Sequence, residues 1–517
     1  MGTELMTFYR EKVKKSWKIA FLSVMILGLL THLYKFTNYL PDRDSLLNVY
    51  HDQNIVASGR WLLSLSCGIS SYFDLPMVIG VLSLCYIALT MVVITELFHM
   101  ENPVLIVLSS GILVTFPGVT ETFLYEYTAD GYMLAMLLSA VSVYLTRMRE
   151  RISWKAYLAG GICLCMCCGI YQAYVSFALV LILCHYMQEL LENRWEWKVY
   201  FRWAVKQLVM FAAAMAAYYA IWKVSMELQQ MEANSYQGIS EIGTNVLDTF
   251  LGGFAASVKA VAAFFVQWNF LKFGFTPYSV LNILFLVFCG GILVAAPIRA
   301  GLIRRKPQMA LYCLSLLLII PCSCIWAFVS RSVLYRPMML MCFAVLYLFT
   351  LVLFERWAAH RWANLAALLL AVTAFNFSLM ANISYHYLNK CYERTYAIGI
   401  QMMLDMEEMK DEYSFEKMAV VGDAWLEDTL VTYDRETQRQ TPASGVDVIS
   451  RYMYNDLMYD HFRITTFLTE FIGVDLETAS WTEALALEKD PAVQEMPVWP
   501  AEGSLRVIGD TLVIKIH

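Results

Sequence analysis

Charged side chains are scarce in this chain, and those that could do chemistry fall into three groups. The densest lies in residues 35–76, KFTNYLPDRDSLLNVYHDQNIVASGRW and then SLSCGISSYFDLP, where Asp42, Asp44 and Asp52 share a polar stretch with His51 and Arg60. A carboxylate within hydrogen-bond reach of a hydroxyl can take its proton as that oxygen attacks. Asp44, in PDRDSLL directly after the first apolar run, is the first candidate for such a base. Aspartate followed by SLLN is also a good helix start, so Asp44 reads equally as an N-cap, and the two roles are compatible. Asp42 is the weaker neighbour. Asp52 and Arg60 stand eight residues apart on an expected amphipathic helix, as substrate contacts or as an ion pair on a solvated face.

The second group is TETFLYEYTADGYM, residues 120–133, which supplies Glu121, Glu126 and Asp130 without a base and interleaves them with Phe123, Tyr125, Tyr127 and Tyr132. Carboxylates accept hydrogen bonds from hydroxyls and aromatic faces cover the apolar side of a ring, a combination suited to sugars. An acidic loop that the membrane charge bias merely permits is the alternative. The third group is Arg331 and Arg336 in SRSVLYRP. Arginine here could hold a phosphate through paired hydrogen bonds, or snorkel to lipid headgroups. Lys259 and Lys272 are weaker candidates for the same task.

The elements that must position these groups are membrane spans. The chain has 517 residues, is 59% hydrophobic and 16% charged, and carries a net charge of −6. A soluble fold of that size could not bury so much apolar surface, so the class is an α-helical polytopic membrane protein. A window of about 19 residues picks out about eleven spans, centred on 18–34, 77–98, 103–120, 131–146, 156–170, 173–190, 206–224, 280–297, 309–327, 337–354 and 362–381. Arg10, Lys12, Lys14, Lys15 and Lys18 precede the first span and put the N-terminus inside, as an uncleaved leader. Counting onward puts RMRERISWK, NRWEWKVYFRWAVK, IRAGLIRRK and ERWAAHR inside as well, and residues 382–517 outside. Residues 244–272 are apolar at helical spacing; a crossing there would place Arg299, Arg304, Arg305 and Lys306 outside, so a helix lying in the outer interface or packed on the bundle is expected.

Two domains follow: a membrane domain over 1–381 and a small extracytoplasmic α+β domain over 382–517. In the latter, 382–412 and RYMYNDLMYDHFRITTFLTEFIG read as helices, MAVVGD as a buried strand, and LRVIGDTLVIKI as two strands around a Gly509-Asp510 turn. Cys163, Cys165, Cys167 and Cys168 lie in an apolar run without histidine or carboxylate, which suits small residues packed between helices better than a metal site. Cys67 and Cys391 fall outside the membrane, where one disulfide is compatible with the sequence and a disulfide framework is not. There is no P-loop, no GxGxxG after a strand, no HExxH and no GxSxG, and nothing suggests nucleic-acid binding.

The order NYLPDRDSLLNVYHDQNIVASGRW, then DGYMLAMLLSA, then MPVWPAEGSLRVIGDTLVIKI resembles the GtrII-like bacterial membrane glucosyltransferases, which are similar to the wider GT-C superfamily. The resemblance covers nearly the whole chain. It implies a GT-C-like fold in the bacterial plasma membrane. It also implies transfer of a hexose, typically glucose, from a polyprenyl-phosphate donor to a cell-surface glycan on the outer face. The family's first-loop acid maps onto Asp44, although the adjacent acid pair of many GT-C loops is here split by Arg43. Asp44 would then be general base in an inverting displacement, an arginine would stabilise the leaving phosphate, and Gly59-Arg60-Trp61 would anchor the loop or contact the donor. No cofactor is implied; a metal is not required, and a divalent cation is compatible. The expected partners are the lipid-linked donor, the glycan acceptor and membrane lipid. A flippase or exporter of lipid-linked glycan is the rival, and an assembly partner of an envelope pathway the third alternative.

The charge bias of the loops makes a direct prediction. A thiol placed at Gly503 should react with a membrane-impermeant reagent on intact cells, and a shielded thiol there would overturn the count of spans.

Overall fold

A computed structural model describes residues 13–42, 44–149, 152–234, 246–268, 276–357, 362–422 and 460–516. Its described residues divide into two compact units: those within 13–37 and 52–382 in one, and those within 38–51, 383–422 and 460–516 in the other. The first loop is therefore shared. Asn38–His51, with Asp42 and Asp44, belongs to the second unit.

The first unit is helical because a long apolar chain in lipid must satisfy its backbone within each segment. Its helices are α1 Lys15–Thr37, α2 Pro76–Leu97, α3 Pro103–Thr115, α4 Pro117–Leu124, α5 Ala129–Leu145, α6 Trp154–Ile170, α7 Val175–Glu192, α8 Trp197–Leu228, α9 Val246–Ala262, α10 Pro277–Arg299, α11 Lys306–Ser323 and α12 Cys342–Trp357, and α13 Ala363–Glu412 starts here and runs on into the second unit. Proline opens α2, α3, α4 and α10 at the first turn, where its missing N–H costs nothing. Pro117 also breaks α3 from α4. Phe116 before it is held extended at ψ 139°, and the two helices meet at a 40° bend.

Ten helical stretches among the described residues are long and apolar enough to cross a membrane, or eleven if the bent pair α3–α4 counts as one; α6, with 17 residues, is shorter. The ten include Leu247–Val266, the stretch that the sequence pattern sets in an interface. Contacts within the unit trace its path. One end of the bundle gathers Lys14 beside Glu96 at 2.6 Å, Arg356 donating to the Phe98 carbonyl at 2.7 Å and pairing with Glu192, and Arg299 donating to the Trp357 carbonyl at 3.0 Å. The other end gathers the 52–61 segment, the 121–132 acids and residues 326–338. Near its start α9 places Asp248 3.8 Å from Arg331, at the acidic end. Helix α10 runs beside α12 in the same direction, with Phe285 stacked on Tyr347, Phe288 against Phe354 and Arg299 at Trp357. The start of α10 is thus also at the acidic end, so the segment that holds α9 leaves and returns at one end of the bundle. Lys272 lies outside the described residues.

Glycines let these helices approach. A Cβ on Gly28 would meet Leu84 at 2.5 Å, and one on Gly80 would meet the Phe36 ring at 2.3 Å. Gly118 is the tightest against backbone: its Cβ would lie 2.7 Å from the Pro337 carbonyl oxygen.

The second unit has a four-stranded sheet in the order β2-β1-β4-β3, with β1 Lys417–Val421, β2 Glu477–Thr478, β3 Leu505–Ile508 and β4 Thr511–Lys515. Strand β1 pairs parallel with β2 and β4, and β3 pairs antiparallel with β4 across a turn in which Gly509 takes φ +65°. The hairpin and the buried strand expected from sequence are present. Of the helix expected over 451–473, residues 451–459 lie outside the described residues, and the rest forms α14 His461–Thr466 followed by a wider turn over Phe467–Ile472. Strand β2 and helix α15 Trp481–Glu488 were not among the elements expected from sequence. A Ser480/Glu483 capping box starts α15. Buried His461 ties α14 to the sheet: its Nδ1 accepts from the Val420 N–H at 3.1 Å and its Nε2 faces the Ala479 carbonyl at 2.7 Å. All thirteen cysteines are thiols.

Gly118→Ala should lower the thermal midpoint of the purified protein by an amount matching about 1–3 kcal/mol of overpacking. Gly290→Ala, where an added Cβ meets nothing within 4 Å, should leave it unchanged or raised, since helical alanine is favoured by about 0.5–1 kcal/mol.

Candidate functional site

The two roles open to Asp44 are separated by its backbone. It precedes the short turn Ser45–Leu47, but its φ and ψ of −82° and −29° are already helical and its carboxylate makes no capping bond. An N-cap needs extended dihedrals for its side chain to reach back to the following N–H groups. Asp42 does that work instead: its buried Oδ1 accepts from the Ser45 N–H at 2.8 Å and the Ser45 hydroxyl at 2.6 Å. The capping expectation for Asp44 is corrected accordingly. Its carboxylate Oδ1 accepts from Arg463 at 3.1 Å, and Arg463 also pairs with Asp460. Arg463 carried no sequence signal, because 419 residues separate it from Asp44.

In the first unit the 52–61 segment is not the amphipathic helix expected. It is an irregular strap with one short turn at Val56–Ser58 and a bridge between Ile55 and Arg60. Its carbonyls are taken up by side chains from α8 and from the turn before α7. Trp222 donates to Val56 at 2.8 Å, Gln172 to Ser58 at 2.7 Å and Tyr218 to Gly59 at 3.1 Å. Gly59 has φ +79°, and a Cβ there would sit 2.3 Å from the Tyr218 hydroxyl, so only glycine fits. Trp61 packs where a Cβ on Gly169 would be, at 2.5 Å. Arg60 is thereby aimed at two stacked tyrosines with centroids 4.1 Å apart. Its guanidinium lies 4.8 Å from the Tyr171 ring, and it donates to the Tyr132 hydroxyl at 2.9 Å. Asp52 is exposed and accepts from the Asn54 N–H at 3.1 Å.

The acids of the second loop belong to helices and are buried. Glu126 pairs with Lys35 at 2.5 Å, with side-chain exposures of 4% and 1%. Lys35, the first residue of the polar stretch 35–76, is the last buried charge of α1. Glu121, on α4, accepts from the Met338 N–H at 2.7 Å, and Arg336 donates to the Tyr125 hydroxyl one turn further on, 5.4 Å from the ring centroid. Asp130, at the start of α5, accepts from the Gly131 N–H at 2.8 Å. It faces Cys67, whose thiol pKa is pushed up by burial first and by the Asp130 charge second. One oxygen each of Glu121 and Asp130 is buried without a hydrogen-bond partner among the described residues. Tyr127 is half-buried on the Glu126–Thr128 turn.

The structure thus joins Glu121 with Arg336, and Arg60 with the tyrosines beside Asp130. It leaves Arg331 exposed, near Asp248. Lys35, Tyr171, Gln172, Tyr218, Trp222 and Arg463 are among the partners that sequence reading missed. Of these only Lys35 carried a signal: a lysine within one turn of an apolar run needs a partner.

Comparison with known proteins gives one result. The family described as Glucosyl transferase GtrII matches residues 33–354. That range holds Lys35 and every candidate residue above except Arg463, and it ends before the second unit's sheet. No curated protein and no solved structure matches the chain.

The Lys35–Glu126 pair makes a prediction about Glu126. Lys35→Met alone should destabilise the protein by about 3–5 kcal/mol, because it strands a buried carboxylate. Lys35→Met with Glu126→Met should recover most of that loss in a thermal melt. No recovery would mean that Glu126 has a role beyond the pair.

Proposed function

We propose, for a chain that belongs to the glucosyl transferase GtrII family, that it moves glucose from a polyprenyl-phosphate donor to a cell-surface glycan, with Asp44 as general base. Glucosyl transfer by a protein of many apolar helices is the premise; the donor, the base, the inverting course and the outer face of the bacterial plasma membrane are the proposal. An enzyme working outside the cell has no nucleotide sugar at hand, so its donor arrives lipid-linked. In the displacement, the acceptor O–H gives its proton to the Asp44 carboxylate as its oxygen bonds to the anomeric carbon. The bond from that carbon to the phosphate oxygen breaks, and polyprenyl phosphate leaves with the electron pair. One such step inverts the configuration.

The observation that carries Asp44 is the exchange of roles in the loop. Asp42 does the capping, so the Asp44 carboxylate is not needed to start the turn. Donor recognition is assigned to the membrane unit. The buried oxygens of Glu121 and Asp130 that have no hydrogen-bond partner among the described residues suit sugar hydroxyls, with Tyr127 and the Arg60 strap beside them and Asp52 at the strap's outer start. Arg336 suits the phosphate, and exposed Arg331 its approach. The transfer as proposed needs no metal. The N-terminus is placed in the cytoplasm and the C-terminal domain outside, in keeping with the basic loops gathered at one end of the bundle.

Purified protein given polyprenyl-phosphoglucose and a cell-wall polymer should transfer glucose with inversion. Asp44→Asn should lower the rate by about 10²–10⁴-fold, the usual worth of a general base. Asp42→Asn should keep most activity, since asparagine caps as well as aspartate. Full activity in Asp44→Asn, with loss in Asp42→Asn or Asp52→Asn, would move the base elsewhere. No transfer by the unaltered protein would favour a flippase.

A further inference from the structure

We propose that Arg463 is a positioning residue for Asp44, so that the second unit sets the direction of the catalytic carboxylate. The proposal rests on Asp44 being the base. It starts from a chain of contacts confined to that unit. Helix α14 is anchored by His461, which bonds the backbone of β1 on one side and the Ala479 carbonyl on the other. Asp460 caps α14 by accepting from the Arg463 N–H at 3.0 Å, and its carboxylate also pairs with the Arg463 guanidinium. The opposite arm of that guanidinium reaches Asp44 Oδ1 at 3.1 Å. A guanidinium is planar and its donors lie at fixed angles, so an arginine held by one carboxylate presents its remaining N–H groups in a fixed direction. The Asp44 backbone is held as well. Its carbonyl accepts from the Asn48 side chain at 2.6 Å, Asp42 fixes the turn, and Tyr39 stacks on Phe471 at 5.6 Å.

An ordinary surface ion pair would contribute little and direct nothing. This one differs in two respects. Arg463 is only 16% exposed against 32% for Asp44, so the arginine is the fixed partner and the carboxylate the presented one. Arg463 is also shared by two carboxylates, one of which belongs to its own helix. The family match ends at residue 354, so it contains the acid and not its holder.

The test is a double-mutant cycle on the full-length protein, with polyprenyl-phosphoglucose as donor and a cell-wall polymer as acceptor. Arg463→Gln should lower kcat by about 10- to 100-fold, as a misplaced reacting group does, with the donor KM within a few-fold. Arg463→Lys, which keeps the charge and loses the fork, should fall between. The double variant Asp44→Asn with Arg463→Gln should be no slower than Asp44→Asn alone, because residues acting as one unit are not additive. Multiplying losses in the double variant would overturn the proposal. So would wild-type kcat in Arg463→Gln beside an inactive Asp44→Asn, a result that leaves the base assignment standing. Wild-type activity in Asp44→Asn would remove the base and this proposal together. Should Arg463→Gln fail to fold, Asp460→Asn keeps the cap and loosens the fork. It should lower kcat in the same direction, and an unchanged kcat there would overturn the proposal.

Discussion

A lysine and a glutamate paired where water does not reach are the constraint from which the acidic end of the bundle follows. Lys35 and Glu126 could not be buried singly, since each lone charge would carry several kcal/mol of desolvation. Together they lock the end of α1 to the turn that begins α5. Glu121 and Asp130 sit within five residues on either side of Glu126, so the pair also fixes where those two acids stand. Both remain buried with an oxygen unpartnered among the described residues. A bundle that had only to be stable would have replaced such groups with apolar ones. Their burial with an oxygen left over is the physical reason for proposing the site at this end of the bundle.

The Gly59-Arg60-Trp61 strap solves a related problem. An irregular segment beside apolar helices has backbone carbonyls that need donors. Tyr218 and Trp222 from α8 and the Gln172 amide supply them. The strap's backbone is thereby fixed, and Arg60 is delivered to the stacked pair Tyr132 and Tyr171 with little freedom. Each residue of the motif has its own reason. Glycine answers a positive φ and a close hydroxyl, arginine the aromatic faces, and tryptophan the space above Gly169.

Around Asp44 the division of labour is different. Capping, which a sequence reader would give to the aspartate nearest the turn, goes to Asp42, whose carboxylate accepts from the Ser45 N–H while the Asp44 backbone is already helical. Asp44 is left to Arg463. The acid lies within the residues that the family model matches and the arginine lies beyond them.

The sequence alone determined the class of the protein and much of its skeleton. Apolar runs of span length, basic loops at alternate turns and the Gly509-Asp510 hairpin are local signals, and the helices and strands they imply are present. Residues 121–132 and Arg60 could be singled out because charge is rare in an apolar chain and therefore conspicuous. Partnership could not be read in the same way. Lys35 with Glu126, Arg60 with Tyr171, Glu121 with the backbone of Met338, and Asp44 with Arg463 join residues that are 91, 111, 217 and 419 positions apart. No local pattern encodes such pairings. They arise when separate helices, each formed for its own local reasons, pack and must leave no buried charge or carbonyl without a partner. For the same reason the exchange between Asp42 and Asp44 was invisible in PDRDSLL: both aspartates suit a helix start by type, and only the folded backbone, with Asp44 already helical, decides which one caps.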